Sequence, residues 1–123
     1  MEPGSTVCFF VASTARVTWQ AAVLACQSRN SSLVSVKSSA RNDFLTTLID
    51  SDVWLGGNDP GPNPASNMFV WRDGSAVAPI GWASTEPDAV ADQFCIAKTA
   101  EPQGPWRDRP CSELKAYICE QTL

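Results

Sequence analysis

Apolar and polar positions along this chain follow two different periods, and the change between them falls near residue 52. Val7 to Val11 is an apolar, aromatic run that predicts a first strand. Thr18 then offers a hydroxyl cap to a segment with Trp19, Ala22, Val23 and Cys26 at helical spacing, so an amphipathic helix with a cysteine on its buried face is expected. Leu33, Val34 and Val36 predict a short strand, and Ser38 or Ser39 is placed to cap a second helix, whose Phe44, Leu45, Leu48 and Ile49 recur at i, i+4.

Beyond residue 52 the helical period disappears. Val53-Trp54-Leu55-Gly56 predicts a buried strand, Asn58 to Asn67 is a Pro/Gly/Asn/Ser loop, and Met68-Phe69-Val70-Trp71 predicts a strand ending in the Asp73-Gly74 turn. From Ser75 to Gln93 periodicity is almost absent, and Pro79, Trp82, Pro87 and an acidic cluster stand in the stretch. Connections of that length in a compact domain usually serve a function, and Cys95 just after it argues for an anchor. Phe94 to Ala97 predicts a strand, Glu101 to Arg109 a turn region, and Ala116-Tyr117-Ile118-Cys119 a closing strand. Two helices followed by short strands describe an α+β chain with the helices segregated from a mostly antiparallel sheet. Its 123 residues suit a single domain spanning 1–123.

Composition narrows the function. Nine Lys plus Arg stand against thirteen Asp plus Glu, and the basic residues are scattered singly, so no stripe is available to track a phosphate backbone and nucleic acid is not expected as a partner. No apolar run approaches the length of a membrane span, and the first residues lack the pattern of a secretory leader; for an exported protein, Met1 is then an expression start. Five cysteines, at 8, 26, 95, 111 and 119, without a CxxC pair, fit an oxidising compartment with two disulfides and one spare thiol. Parity allows any of the five as the spare and three pairings of the rest. Asn30-Ser31-Ser32 is a glycosylation sequon, which agrees with a secreted, extracellular location.

The order of landmarks resembles the C-type lectin family over nearly the whole chain, from Val7 to Glu120. Trp19-Gln20-Ala21-Ala22 leads to Cys26; Trp54-Leu55-Gly56-Gly57 and Phe69-Val70-Trp71-Arg72-Asp73-Gly74-Ser75 follow; Trp82 precedes Glu86-Pro87-Asp88; Cys95, Trp106-Arg107-Asp108, Cys111 and Tyr117-Ile118-Cys119-Glu120 close the series. The resemblance implies the C-type lectin fold, with two helices packed on antiparallel sheets and a long irregular loop region. It also implies the pairings Cys26 with Cys119 and Cys95 with Cys111, leaving Cys8 free or available to bridge two chains as a homodimer.

It further implies a metal-dependent carbohydrate site. Glu86 and Asp88, alternate residues of an extended segment, face the same way. A cis Pro87 in the family aims both toward a calcium ion, and Asp108 adds a carboxylate and a carbonyl oxygen. Calcium takes about six to eight oxygens, and two hydroxyls of a sugar can complete the shell. The expected metal ligands are therefore Glu86, Asp88, Asp108 and Asp92, and the carbohydrate contacts Glu86, Asp88, Arg107 and Asp108.

Three departures from the family's pattern bear on this. Glu-Pro-Asp lies between the Glu-Pro-Asn of mannose-type and the Gln-Pro-Asp of galactose-type ligands. Arg107 replaces an amide ligand with a cation that can donate to sugar or neutralise the cluster. Gln93 occupies the place of a usual Glu, with Asp92 beside it as substitute. An all-oxygen set puts Ca2+ ahead of Zn2+, whose preferred His and Cys ligands are absent or committed. Trp82 and Trp106 are expected to pack under the loop rather than stack on sugar.

The resulting expectation is a lectin for cell-surface glycans, mannose/glucose-type or galactose-type, with microbial ones in innate defence among them. A metal-independent domain binding protein ligands is the alternative, favoured by Arg107 and Gln93. A glycosidase using Glu86 and Asp88 stands third, since two adjacent carboxylates without a His or nucleophile motif show no division into acid and base.

Overall fold

The computed structural model describes residues 6–59, 69–84, 86 and 94–122. Among these residues, six strands and two helices follow in the order β1 (Val7–Val17), α1 (Trp19–Gln27), β2 (Ser32–Leu33), α2 (Ser39–Thr46), β3 (Val53–Asn58), β4 (Cys95–Lys98), β5 (Trp106–Arg109) and β6 (Lys115–Thr122). The main path of the sheet is β1-β6-β3-β4-β5, with β2 added on β6. Between these strands all pairings are antiparallel except β3 with β6, where Val53 and Trp54 stand opposite Ala116 and Tyr117.

Both helices start where a hydroxyl satisfies an open N–H. Thr18 Oγ1 accepts from the Ala21 amide at 3.2 Å, and Ser38 Oγ from the Arg41 amide at 3.1 Å. The first helix ends in a turn that Asn30 completes at φ 55°, a left-handed conformation that asparagine tolerates better than most residues. The second is shorter than its apolar spacing predicts: it stops at Thr46, so Leu48 lies beyond it and is exposed.

The strict two-residue period of the central strands divides the core. Trp54 of β3, Cys95 and Ala97 of β4, and Tyr117 and Cys119 of β6 pack with Trp19, Ala22 and Cys26 of α1. Their neighbours Val53, Leu55, Ile96, Ala116 and Ile118 face the other way, onto Leu45 of α2 together with Phe69, Trp71 and Trp106. One helix thus covers each face, which is why β3 and β4 read as unbroken apolar runs instead of an alternation.

Cys26 is bonded to Cys119 and Cys95 to Cys111. The first bridge joins α1 to β6 across 93 residues, a closure worth about 4 to 5 kcal/mol in the chain-entropy account. Cys8 is a free thiol on β1, half-buried.

Three elements differ from the sequence expectation. The Phe69–Trp71 stretch forms only single bridges, Val70 with Asn58 and with Ala76, because the chain turns at Arg72-Asp73-Gly74 before a ladder can lengthen. The region expected as a turn over 101–109 ends in strand β5, whose four residues all pair with β4. The strand expected over Leu33 to Val36 narrows to Ser32–Leu33, while Val34 still donates to Ile118 O and accepts from Gly56 N–H.

Candidate functional site

The outer strand β5 organises the site. Trp106 N–H donates to Gly81 O at 2.7 Å and Ala83 N–H donates to Trp106 O at 2.9 Å, so residues 81–83 run beside β5 as a short parallel ladder. Only glycine allows that approach: a Cβ at Gly81 would lie 2.2 Å from the Trp106 ring. A continued ladder would send the Asp108 N–H to Ala83 O. That carbonyl instead accepts from the Glu86 N–H at 3.0 Å, and the Asp108 amide donates to Glu86 Oε2 at 3.0 Å. The carboxylate of Glu86 thereby takes the place of a main-chain carbonyl and ties the loop to β5.

Two of the sequence-predicted site residues are therefore brought together: half-buried Glu86 and Asp108, which is 1% exposed. Asp88 and Asp92, the remaining expected ligands, and Pro87 lie outside the described residues. Arg107 is separated from Asp108 by the alternation of β5, in which Trp106 and Asp108 are buried and Arg107 and Arg109 half-exposed. Its guanidinium pairs with Glu101 Oε1 at 3.5 Å, a partner that sequence spacing does not single out. Among the described residues no group of three His, Cys, Asp or Glu side chains converges.

The two tryptophans form the floor. Trp106 is fully buried and lies edge-on to Trp71, with ring centroids 5.6 Å apart, and to Trp82 at 5.9 Å. Trp82 also lies edge-on to Phe69 at 5.3 Å. A ring with no accessible face cannot stack on a sugar, so Trp106 acts by packing. Its indole N–H donates to Asn42 Oδ1 at 2.9 Å, which joins the floor to α2. Lys98 Nζ donates to the same oxygen at 2.9 Å, to Thr46 Oγ1 at 2.7 Å and to Gly104 O at 3.0 Å. This buried network holds the turn before β5 against α2. Sequence reading passed over it, although a lysine ending the apolar run Phe94 to Ala97 was its visible sign.

The chain matches the family model of the Lectin C-type domain over residues 15–121. It belongs to the C-type lectin domain family. A type-2 ice-structuring protein of Hemitripterus americanus is 30% identical over 99% of this chain and 72% of its own length. Lithostathine-1-alpha of Homo sapiens is 34% identical over 85% of this chain and 66% of its own, and an alpha-N-acetylgalactosamine-specific lectin of Patiria pectinifera is 33% identical over 73% and 57%. The chain thus spans less than two thirds of the latter two. Among solved structures, a calcium-independent type II antifreeze protein superposes with a TM-score of 0.86 at 25% identity, covering 96% of this chain and 88% of that one. These relatives are lectin-type domain proteins and not enzymes, so the glycosidase reading falls. No helix of the described residues is long and apolar enough to cross a membrane.

Proposed function

We propose that this C-type lectin domain binds glycans through a cation held at the loop end of β5 by Glu86, Asp88 and Asp108, with Asp92 as a further ligand. The observation that carries the reading is the hydrogen bond from the Asp108 amide to the Glu86 carboxylate, since it sets the start of the Glu-Pro-Asp tripeptide on the strand that bears Asp108. The donors offer oxygen only, which suits calcium and disfavours zinc. Arg107 supplies no oxygen, so the set is short of a full shell; positions are left for two sugar hydroxyls and water, and calcium is held weakly, with a dissociation constant in the range of about 0.1 to 1 mM typical of extracellular modules.

The chemistry the ion supplies is attraction for a vicinal diol. Glu86 and Asp108 orient it: the amide contact fixes one oxygen of Glu86, and its other oxygen has no partner among the described residues. The disulfides agree with a secreted location, and a glycan-binding relative, the lectin of Patiria pectinifera, supports the ligand class. Microbial surface glycans in innate defence belong to the same reading, as does a pair of chains linked through Cys8, for which Cys8→Ser is expected to abolish agglutination while leaving monovalent affinity unchanged.

A second reading, protein binding without metal, draws on the Arg107–Glu101 pair and on the likeness to a structure described as calcium-independent. Thermal melts of the chelated protein, repeated with calcium and with zinc, separate the two. A rise with calcium that is lost in Glu86→Gln/Asp88→Asn supports the lectin, and a glycan array then names the sugar. No rise with either ion removes it in favour of the second reading.

A further inference from the structure

We propose that a second site, a groove between the turn after α1, the start of α2 and the end of β6, binds an acidic saccharide through Arg72. The groove has a volume of about 610 Å³, within the range of about 300 to 1,000 Å³ usual for small-molecule sites. It shares no residue with Glu86, Arg107 or Asp108, and β3 and β4 lie between β6 and β5 in the sheet.

All eleven lining residues are polar. An apolar peptide side chain or a lipid tail would find little apolar surface to pack against, whereas the Ser31, Ser32, Ser35 and Thr122 hydroxyls and the Gln121 amide each both donate and accept, as the hydroxyls of a sugar require. The charges are unequal: Lys37, Arg41 and Arg72 face Asp73 and Glu120, three cations against two carboxylates, in a chain of net charge −4.

Both carboxylates are engaged within the protein. Asp73 pairs with Lys37 and accepts from the Ser75 N–H at 2.9 Å. Glu120 accepts from the Ser35 N–H at 2.7 Å and from Arg41 at 3.5 Å. Arg72 is the cation left without a carboxylate among the described residues. It is nevertheless held in place: its guanidinium lies over the Trp19 ring, 5.6 Å from the centroid, and its stem passes over Gly56, where a Cβ would come within 3.0 Å of Arg72 Cγ. A cation positioned by ring and glycine, with its fork of N–H donors unspent among the described residues, matches the planar carboxylate of a uronic acid better than a spherical ion.

The test uses the unglycosylated full chain in excess chelator, titrated by calorimetry with a galacturonic acid tetrasaccharide and with its methyl ester, which has the same shape without the charge. The expected result is saturable binding of the acid, at least tenfold weaker for the ester and at least tenfold weaker in Arg72→Gln, with Glu86→Gln/Asp88→Asn unaffected. Arg72 is exposed and the variant gives up only its contact with the Trp19 ring, so Arg72→Gln is expected to stay folded, melting a few degrees below the parent. The proposal is overturned by absence of binding, by equal binding of acid and ester, by undiminished binding in Arg72→Gln, or by loss of binding in Glu86→Gln/Asp88→Asn. Because chelator is present throughout, failure here leaves the cation-dependent site standing, and the converse holds equally.

Discussion

Two polar clusters meet at β5 and differ in one respect, closure. On the side of α2, Lys98 spends three donors on Asn42, Thr46 and Gly104, and Asn42 also receives the Trp106 indole. On the loop side, Glu86 receives one amide from Asp108, its other oxygen has no partner among the described residues, and Asp88 and Asp92 follow it in the sequence. A buried charge that is fully hydrogen-bonded within the protein has nothing to offer a ligand and serves the fold. A carboxylate with an oxygen left open in this way can still accept a donor or a cation from outside. Charge content alone therefore does not mark a site; the balance of donors and acceptors does.

The largest effect that could break this contrast comes from the residue both clusters share. Trp106→Ala is expected to cost about 3 to 5 kcal/mol in chemical denaturation, as for other large buried aromatics, and to abolish any calcium response, because the floor beneath Asp108 is lost. Asn42→Ala removes an oxygen that serves two donors, leaves the Trp106 N–H unsatisfied, and should cost about 2 to 3 kcal/mol without changing which ion is bound.

Burial brings the Lys98 ammonium down to about 8. An unfolded lysine titrates near 10.4, so between these values the unfolded chain holds the proton that the folded chain has released, and stability rises with pH by about 2 kcal/mol from pH 8 to pH 10. Below pH 8 both states are protonated and the term is constant. Urea midpoints across that window check this, and Lys98→Met should flatten the slope.

Smaller effects belong to the open cluster. Calcium at ten times its dissociation constant should stabilise the fold by about 1.4 kcal/mol, read as a shift in melting midpoint that chelator reverses. Arg107→Asn restores an amide oxygen to the cluster; a several-fold gain in calcium affinity is expected, against a stability change under about 1 kcal/mol, since the Arg107–Glu101 pair is exposed. An unchanged calcium affinity would show that the place of Arg107 is not part of the shell.

The helices were the most legible part of the fold, since Thr18 and the spacing of Trp19, Ala22, Val23 and Cys26 depend on near neighbours alone. Strand β5 was not, because Trp106-Arg107-Asp108-Arg109 alternates in burial only by virtue of the residues β4 and 81–83 place on either side. In the site, Glu86 and Asp108 could be named from motif resemblance, but the amide-to-carboxylate contact joining them could not. The pairing of Arg107 with Glu101 was equally hidden, as no period relates the two.

What the sequence by itself determined was local and periodic: caps, apolar faces, turn residues, the order of landmarks, and a chemistry of carboxylates without histidine. The tertiary structure alone decided which of two faces each strand residue serves, which cysteines meet, that Lys98 is enclosed by its acceptors, and that Arg72 is laid across Trp19 with no carboxylate beside it among the described residues. The reason is range. Helix capping and side-chain alternation act within a few residues, whereas the satisfaction of a buried charge depends on groups brought together from dozens of positions apart.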